Sequence, residues 1–549
     1  MIKKITMVLL AASMVAVSAC SNGSNESTTE KPQASAKPSA PSDPFGKYAE
    51  PVTIKTAYSV DPAFKSTKGE TLEKNAWKTA MKEELNIGID IAWQVSKENF
   101  DQKMNLSIAS NDLPDAMVVS QVQLNQMVKA GELEDLTDAY NNYASPAVKR
   151  IMESTKGLAG EQVTFDGKMM AIPHVGAEDF NMLWIRQDWL DKLGLQPPKT
   201  VEDLENVAKA FVEQDPDGNG KADTIGIAAG TGLYNDFTAG PGAFDVTPIF
   251  GAFNAFPGFW VEGEDGKPAY GSILPETKNA LAKLRDMYAA GLIDKEIGIR
   301  KAAEETVISG KAGMFFEGFY GGYWPLPSAW QNDPKANWQA YAAPLDGEGK
   351  YNVKVANPSN GYLVVRKGYE HPEALIKLNN LYLRDEAIHG PDFMLIRNFF
   401  APLDEIGFEY KAMQEVLAGT KTPEDYADMP EYKLLKNSLE TIKNAKLEPY
   451  DKLDIQYWNQ SDKDFMRAYS IMVGARNHSD PNLNKIKSLS YTRTETVEKR
   501  WTNLTKLEKE TFLKIIMGSA PLDTFDQFVK DWKKQGGDDV TEEIAKTIK

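Results

Sequence analysis

Hydrophobic and polar residues alternate along the first folded stretch of the chain, which then changes to a helical period. The segments PVTIKTAYSV (51–60) and IGIDIAWQVS (87–96) alternate as strands do, and PDAMVVS (114–120) is a short apolar run. Between them, NAWKTAMKEELN (75–86) and ENFDQKMNLSIASND (98–112) are typical of helices. This order predicts an α/β fold with a parallel sheet. Ligands of such sheets bind beyond the carboxyl ends of the strands, which here points to the surroundings of Ser120.

The later segments extend this pattern over a long chain. TVEDLENVAKAFVEQ (200–214) is predicted to be a helix in which Thr200 is the N-cap, with Asp203 three positions on. MLWIR (182–186), AGMFFEG (312–318) and NGYLVVRK (360–367) are predicted to be strands. Because 549 residues exceed one ordinary hydrophobic core, we expect more than one lobe.

The first residues have the pattern of an export signal rather than of a folded element. MIKK is followed by an apolar run of 15 residues, whose last three form VSAC with Cys20. VSAC resembles a bacterial lipobox, so residues 1–19 are predicted to be a signal peptide and Cys20 a lipid-modified N-terminus on the extracytoplasmic face of the cell membrane. The alternative is an ordinary signal peptide with a cysteine nearby by chance. Residues 20–44 are rich in Ser, Pro, Lys and Glu, which predicts a flexible tether.

Charge and cysteine content narrow the class of protein. The formal net charge is −16, from 62 Lys and Arg against 78 Asp and Glu, and the sequence contains no basic run. Nucleic acid is therefore excluded as a partner, because phosphate binding needs dense positive charge. Since Cys20 is the only cysteine, no intramolecular disulfide stabilises the fold.

Several motifs, in a shared order, resemble one family. They are the lipobox, PDAMVV, GKMMAIP, LWIRQDWLDKLGLQPPKTVEDL, DPDGNGKADTIG, GKAGMFFEG and IIMGSAPLDTFDQFVKDWKKQGG. Together they are similar to the extracellular solute-binding lipoproteins of ABC transporters. Within this family, the motifs are most similar to those of the long oligosaccharide-binding group, which includes alginate-binding proteins and LplA-like lipoproteins. The likeness runs from Cys20 to about Gly537.

The resemblance implies an architecture and partners. It implies a type II periplasmic-binding-protein-like fold of two α/β lobes, within residues 45–549, with a hinge and an interlobe cleft. The N-lobe is expected to hold about residues 50–170 and 357–400, and the C-lobe about residues 175–350 and 405–549. The implied partners are an oligosaccharide and the transmembrane subunits of an ABC permease, and the protein is expected to be a monomer.

Aromatic residues are dense in two glycine-containing segments. FGAFNAFPGFW (250–260) contains Asn254 and Trp260, and FFEGFYGGYWPLPSAW (315–330) contains Glu317, Tyr323 and Trp324. Flat aromatic rings pack against the C–H faces of sugars, whereas sugar hydroxyls need polar partners. Trp458, in DIQYWNQSD, and Trp184, in LWIR, are further candidates. These seven residues are our predicted ligand contacts, and ordinary core packing or a cap or turn role is the alternative for each of them.

The segment DPDGNGKADTIG (215–226) has the spacing of a calcium-binding EF-hand loop. Asp215, Asp217, Asn219 and Asp223 stand at positions 1, 3, 5 and 9, and Lys221 at position 7 offers its backbone carbonyl. Position 12 is Gly226 instead of a bidentate Glu, and Thr224 stands where alginate-binding relatives have an acidic residue. We predict a weak, structural Ca²⁺ site, and the alternative is a solvated acidic turn.

The function that these features favour is a receptor rather than an enzyme. The four histidines are scattered, and no zinc, nucleophile-elbow or phosphate-loop motif occurs. We therefore predict a substrate-binding lipoprotein that binds an oligosaccharide and delivers it to an ABC permease. A surface glycosidase or polysaccharide lyase, and a receptor for a peptide or another non-sugar solute, remain as alternatives.

Overall fold

The computed structural model describes most of the chain after its first 42 residues. The described residues are 43–60, 69–96, 99–239, 242–300, 302–390, 392–445, 447, 453–462 and 464–548, and Ser42–Lys549 forms one compact unit. The predicted signal peptide, Cys20 and nearly all of the predicted tether lie outside the described residues. In the part of the chain that is described, no helix is both long enough and apolar enough to cross a membrane.

The strands of the described residues are β1 (Val52–Val60), β2 (Ile87–Ser96), β3 (Ala116–Val119), β4 (Thr164–Phe165), β5 (Lys168–Met169), β6 (Ile172–Pro173), β7 (Met182–Arg186), β8 (Ile225–Ala228), β9 (Trp260–Glu262), β10 (Pro268–Tyr270), β11 (Ala312–Glu317), β12 (Trp338–Tyr341), β13 (Tyr351–Val355), β14 (Tyr362–Val365) and β15 (Leu483–Lys487). The predicted strands at 51–60, 87–96, 114–120, 182–186, 312–318 and 360–367 are confirmed, within a few residues at their ends.

The α-helices of the described residues are α1 (Ala76–Ala80), α2 (Phe100–Ser110), α3 (Gln121–Ala130), α4 (Thr137–Tyr143), α5 (Pro146–Ser154), α6 (Leu158–Glu161), α7 (Gln187–Leu193), α8 (Val201–Glu213), α9 (Thr247–Gly251), α10 (Pro275–Ala289), α11 (Glu304–Ile308), α12 (Leu326–Asn332), α13 (Glu373–His389), α14 (Glu405–Leu417), α15 (Leu435–Asn444), α16 (Phe465–Tyr469), α17 (Glu495–Ile516), α18 (Thr524–Trp532) and α19 (Asp538–Ala545). Thr200 caps α8 as predicted, in a capping box with Asp203.

A five-stranded sheet with the order β2-β1-β3-β14-β6 forms the first lobe. β1 pairs in parallel with β2 and β3, whereas β14 runs antiparallel to β3 and β6. The alternation seen in the sequence places Val52, Ile54 and Thr56 on the buried face of β1. The helices connecting these strands cover the sheet, and Met104 and Leu124 pack into its core.

A four-stranded sheet with the order β12-β7-β11-β8 forms the second lobe. All five residues of β7 are buried, because the sheet is covered on both faces. Leu183 and Ile185 pack into the core on one face, and Met182 and Trp184 pack into the core on the other. Most of the C-terminal helices pack against these two cores.

The connections between the sheets run side by side. The chain passes from β6 to β7 through residues 174–181, called here the first crossing segment, and returns from β13 to β14 through residues 356–361, the second crossing segment. His174 N donates to Gly361 O (2.8 Å), which ties the two segments together. Two α/β lobes joined in this way, with a hinge and a cleft, confirm the predicted fold class.

Candidate functional site

A cavity of about 160 Å³ lies between the two crossing segments and the second lobe. It is lined by the first segment, the second segment and two further loops, at His174, Gly176, Ala177, Glu178, Asp179, Thr238, Ala239, Ala356, Asn357, Pro358, Asn360 and Leu403. We call it the hinge cavity. It is smaller than the roughly 300–1,000 Å³ of typical small-molecule pockets. A second cavity of about 510 Å³ adjoins it and shares Glu178, Ala356, Pro358 and Leu403 with it.

Hydrogen bonds to residues 398–403 hold the first crossing segment in place. Val175 N donates to Asn398 O and Glu178 N donates to Leu403 O, both at 2.9 Å. The His174 ring packs against Phe400 at 4.4 Å between ring centroids. Burial, together with the nearby Arg397 charge, lowers the pKa of His174 to about 4. The imidazole is therefore neutral at physiological pH.

Two adjacent carboxylates contribute to the wall of the hinge cavity. Glu178 forms an ion pair with Lys485 of β15. Asp179 Oδ1 accepts a hydrogen bond from Phe319 N (3.3 Å) and lies 3.4 Å from His478 Nε2. Asp179 Oδ2 is buried and has no hydrogen-bond partner among the described residues. Asp179 thus connects the cavity to the segment that begins at Phe319.

That segment, residues 319–324, is called here the aromatic turn. It follows β11 as a short 3₁₀ turn, and its Tyr323 and Trp324 side chains are 37% and 39% exposed. A Cβ atom at Gly321 would lie 2.5 Å from the Trp184 ring, so only glycine lets the turn rest on that ring. Trp184 Nε1 also donates to Gly318 O (3.0 Å). Buried Trp184 therefore supports the turn that presents Tyr323 and Trp324.

Polar and aromatic neighbours orient the two exposed rings. Arg467 donates to the Tyr323 hydroxyl at 3.5 Å. The Trp324 ring meets Phe244 edge-on, with 5.6 Å between ring centroids. Both rings lie on a loop supported by the sheet, where ligand-contacting side chains are common, and their role as sugar contacts stays a prediction.

Glu317 ends β11 directly beneath the aromatic turn and is fully buried. Its Oε1 accepts from Gly318 N (3.0 Å), while Oε2 has no partner among the described residues. Burial raises the pKa of Glu317 to about 8, and the nearby Asp179 and Asp245 charges add to this effect. The predicted contact between Glu317 and a ligand is corrected here, because the side chain has no exposed surface.

Three predicted tryptophans also belong to the interior. Trp260 is fully buried among Tyr270, Trp501 and Phe237. Trp458 is 7% exposed and donates through Nε1 to Leu453 O (3.3 Å), and Trp184 is fully buried. The predicted cleft positions of Trp260, Trp458 and Trp184 are corrected, because neighbouring elements cover their rings.

Asn254 is exposed, but its side chain belongs to a local polar network. Its Oδ1 accepts from Asn352 Nδ2 (3.0 Å), and Asn352 Nδ2 also donates to Asp346 Oδ2 (2.8 Å). Ser120 caps α3 in a capping box with Gln123. Neither residue lines the hinge cavity.

The sequence did not reveal Asp179, His174 or Thr238 as site residues. Asp179 lies in GAEDF, an irregular segment between predicted strands. The one available signal was its position immediately before the buried strand MLWIR, where a chain leaving one lobe enters the next.

The predicted calcium loop brings its polar side chains together around Asn219. The Asn219 side-chain amide donates to Asp217 Oδ2 (2.7 Å) and Asp223 Oδ1 (3.0 Å). Asp215 accepts from the backbone of Asn219 (3.1 Å) and Gly220 (3.0 Å). A hydrogen bond with Asp217 lowers the pKa of Asp215, whereas burial and that same bond raise the pKa of Asp217. As placed, no group of three or more acidic, His or Cys side chains among the described residues is arranged to hold a metal ion.

The structure explains the departures of this loop from the EF-hand pattern. Gly226 starts the buried part of β8, and a Cβ there would lie 2.6 Å from Leu292 O and 2.9 Å from Ala208 Cβ. A position-12 glutamate therefore has no room. The Thr224 hydroxyl donates to Phe211 O (2.7 Å) and faces the interior.

The two lobes, crossing segments and hinge cavity define a two-lobed α/β binding protein. The family model of bacterial extracellular solute-binding proteins matches residues 64–388, and the chain belongs to this family. The alginate-binding protein AlgQ2, in a structure described as without calcium ion, superposes with a TM-score of 0.57 at 18% identity, over 93% of this chain and 99% of that one.

Two curated relatives match part of the chain. FusA, a fructooligosaccharide ABC transporter substrate-binding protein of Streptococcus pneumoniae serotype 4, is 34% identical over 230 residues, or 39% of this chain and 40% of FusA. YtcQ, a polygalacturonan/rhamnogalacturonan-binding protein of Bacillus subtilis, is 29% identical over 243 residues, or 42% of this chain and 44% of YtcQ. The matched region thus spans less than half the length of each relative.

Proposed function

We propose that this protein is the substrate-binding lipoprotein of an ABC importer and that it binds an oligosaccharide between its lobes. The observation that carries the proposal is the pair of exposed rings, Tyr323 and Trp324, on a turn bonded through Phe319 to the wall of the hinge cavity. Membership of the solute-binding family and the names of both relatives, which bind oligo- or polysaccharides, support the sugar.

The proposed mechanism is closure of the lobes on the sugar. Rings at the aromatic turn would stack on sugar faces. Polar groups of the crossing segments would accept hydrogen bonds from sugar hydroxyls and donate hydrogen bonds to them. Ligand binding biases the open and closed arrangements only through a difference in affinity for them. The lobes would hold about residues 50–170 with 357–400, and about 175–350 with 405–549, and the closed monomer would be recognised by the transmembrane permease subunits.

Attachment to the membrane is part of the same proposal. Cleavage after residue 19 would leave Cys20 lipid-modified, and residues 20–44 would tether the binding unit to the extracytoplasmic face of the cell membrane. Metabolic labelling with a fatty-acid analogue tests this directly: the full chain takes up label and Cys20→Ala does not.

Calcium is proposed as a structural ion. Side-chain oxygens of Asp215, Asp217, Asn219 and Asp223, with the backbone carbonyl of Lys221, would hold it, and oxygen ligands of this kind suit Ca²⁺. The proposal is supported by the EF-hand spacing of these residues and by the hydrogen bonds that Asp215, Asp217 and Asp223 accept from Asn219. The ion would stiffen the second lobe and take no part in sugar chemistry.

A receptor of this kind leaves its sugar intact. Purified protein is titrated with neutral and acidic oligosaccharides by calorimetry, and the recovered sugar is analysed by chromatography. Saturable binding of an unchanged sugar is the expected result. Shortened or unsaturated products would instead establish a glycosidase or lyase, and binding of peptides alone would reject the sugar assignment.

A further inference from the structure

The cavity that adjoins the hinge cavity has a charge opposite to that of the chain as a whole. We call this space of about 510 Å³ the lysine cavity, and its lining includes four lysines and two carboxylates, at Lys156, Lys411, Lys485, Lys487, Glu178 and Asp404. Over the whole chain, 78 acidic residues stand against 62 basic ones. An excess of lysines in one concave surface concentrates ligands of negative charge there, because such surfaces focus the electric field.

The carboxylates of the lysine cavity do not cancel this positive charge. Glu178 forms an ion pair with Lys485, so these two lining residues offset each other. The Asp404 carboxylate accepts a hydrogen bond from the Tyr432 hydroxyl (3.1 Å). The other three lysines of the lining form no ion pair within the part of the chain that the structure describes. Three lysine charges therefore share the cavity with one carboxylate.

Three separate elements supply these three lysines. Lys156 lies in the turn after α5, Lys411 lies on α14, and Lys487 ends β15. All three residues are exposed, so their ammonium groups are accessible to an incoming ligand. Glu415, one turn after Lys411 on α14, pairs instead with Lys421 (2.9 Å). Because α5 precedes the first crossing segment and α14 packs into the second lobe, the charge comes from both sides of the crossing segments.

Other groups of the two adjoining cavities suit the uncharged parts of a sugar. The rings of Phe408 and Tyr491 line the lysine cavity, and such rings pack against the C–H faces of sugars. Asn357 and Asn360 line the hinge cavity, and their amides can both donate hydrogen bonds to hydroxyls and accept hydrogen bonds from them. A chain of several sugar units that lies along the crossing segments would therefore meet rings, amides and ammonium groups together.

We propose that the lysine cavity binds the anionic groups of an acidic oligosaccharide, and that Lys156, Lys411 and Lys487 contact its carboxylate or sulfate groups. Lysine ammonium groups bind such anions as point charges. This inference rests on the proposed function. It decides a point that family membership leaves open, because one relative is named for a fructooligosaccharide, which is uncharged, and the other for polygalacturonan, which is acidic.

Matched ligands test the need for negative charge without altering the protein. Wild-type protein is titrated by calorimetry with oligomers of galacturonate, glucuronate and mannuronate, with sulfated carrageenan oligosaccharides, and with uncharged fructo-, xylo- and malto-oligosaccharides. Methyl esters of the uronates and desulfated carrageenan oligosaccharides keep the skeleton and lose the charge. We expect at least one acidic oligomer to bind about tenfold or more tightly than its uncharged counterpart. That affinity should fall as ionic strength rises, because salt screens exposed charges.

The outcomes separate this inference from the proposed function. Binding of uncharged sugars alone, or of an uncharged counterpart as tightly as its acid, would overturn the inference and leave the receptor function standing. If no sugar of either class binds, the receptor function fails and the inference fails with it. The uronate and sulfate arms show which anionic group the lysines recognise.

A variant that combines Lys156→Gln, Lys411→Gln and Lys487→Gln tests the assigned residues. We expect its affinity for the acidic oligomer to fall about a hundredfold and to become less dependent on salt, while its affinity for the uncharged counterpart stays unchanged.

The matched control removes the same charge from three exposed lysines that line neither cavity, by combining Lys209→Gln, Lys335→Gln and Lys530→Gln. This control should bind the acidic oligomer as wild type does. Wild-type affinity and salt dependence in the variant of the lysine cavity, at unaltered thermal unfolding, would reject the role of its lysines.

Discussion

Trp260 and Trp324 both lie in aromatic-rich, glycine-containing segments of the second lobe, yet they differ in burial. Trp260 is fully buried, and Trp501 of α17 and Tyr270 of β10 pack on it. Trp324 is 39% exposed and meets Phe244 only edge-on. The first ring stabilises the fold, whereas the second has surface left for another molecule. The difference arises because residues distant in sequence pack over Trp260 and leave part of Trp324 exposed.

The largest expected effect is on stability at the covered ring. Trp260→Ala removes a fully enclosed indole and should lower the free energy of unfolding by about 3–5 kcal/mol, because the cavity collapses only partly. Trp324→Ala should lower it by less than about 1 kcal/mol. Urea denaturation of both variants measures the difference as a shift in midpoint at constant slope. Equal losses of unfolding free energy in the two variants would contradict the inferred difference between the two rings.

Glu317 lies at the base of the partly exposed aromatic turn and is itself fully buried. Its pKa of about 8 in the folded protein exceeds the ordinary value of 4.5. Because the folded state binds this proton more tightly, the stabilisation is fully present below about pH 4.5 and is lost as pH rises towards 8.

Glu317→Gln should therefore remove part of the pH dependence and raise the free energy of unfolding at pH 8, relative to wild type, by about 2–4 kcal/mol. Denaturation at pH 5, 6.5 and 8 measures it, with exposed Glu264→Gln as the control. If the free energy of unfolding varied equally with pH in wild type and Glu317→Gln, the Glu317 carboxyl would have to be in contact with water.

At the exposed ring the expected effect is on affinity rather than stability. Trp324→Ala and Tyr323→Ala should each weaken binding of the oligosaccharide by about tenfold, or 1–2 kcal/mol, as rings at binding sites commonly do. Leu489→Ala is the matched control, because Leu489 is 40% exposed and its backbone N–H bonds to Trp260 O. Full affinity in both aromatic variants, measured by calorimetry, would move the site away from the turn.

The fold could be predicted from the sequence because its signals are local. The buried run MLWIR, the alternation in β1 and the Thr200–Asp203 cap each determine an element within a few residues. The two-lobe arrangement is implied by the resemblance to solute-binding lipoproteins, which rests on the shared order of several motifs and not on any single element.

The site was less predictable because burial depends on distant partners. Nothing in FGAFNAFPGFW indicates that Trp501 will cover Trp260, since that residue lies in a helix near the C-terminus. Asp179 was missed for the converse reason. Its segment has no periodic pattern, and its importance arises only when Phe319 and His478 come to lie beside it.

The smallest expected effect is on stability at the calcium loop, which also contains both buried and exposed residues. Thr224 and Gly226 face the interior, whereas the carboxylates of Asp215, Asp217 and Asp223 accept hydrogen bonds from Asn219. If the site binds Ca²⁺ with the weak affinity of extracellular sites, about 10⁻⁴–10⁻³ M, then 1 mM Ca²⁺ stabilises the fold by about 0.4–1.4 kcal/mol. Thermal unfolding with Ca²⁺ and with chelator should show this shift in wild type. Lys221→Ala should keep it, because only the backbone of that residue is a proposed ligand, and Asp217→Asn should lose it. Sugar affinity that vanishes with chelator while the unfolding temperature stays constant would assign the ion to the binding site instead.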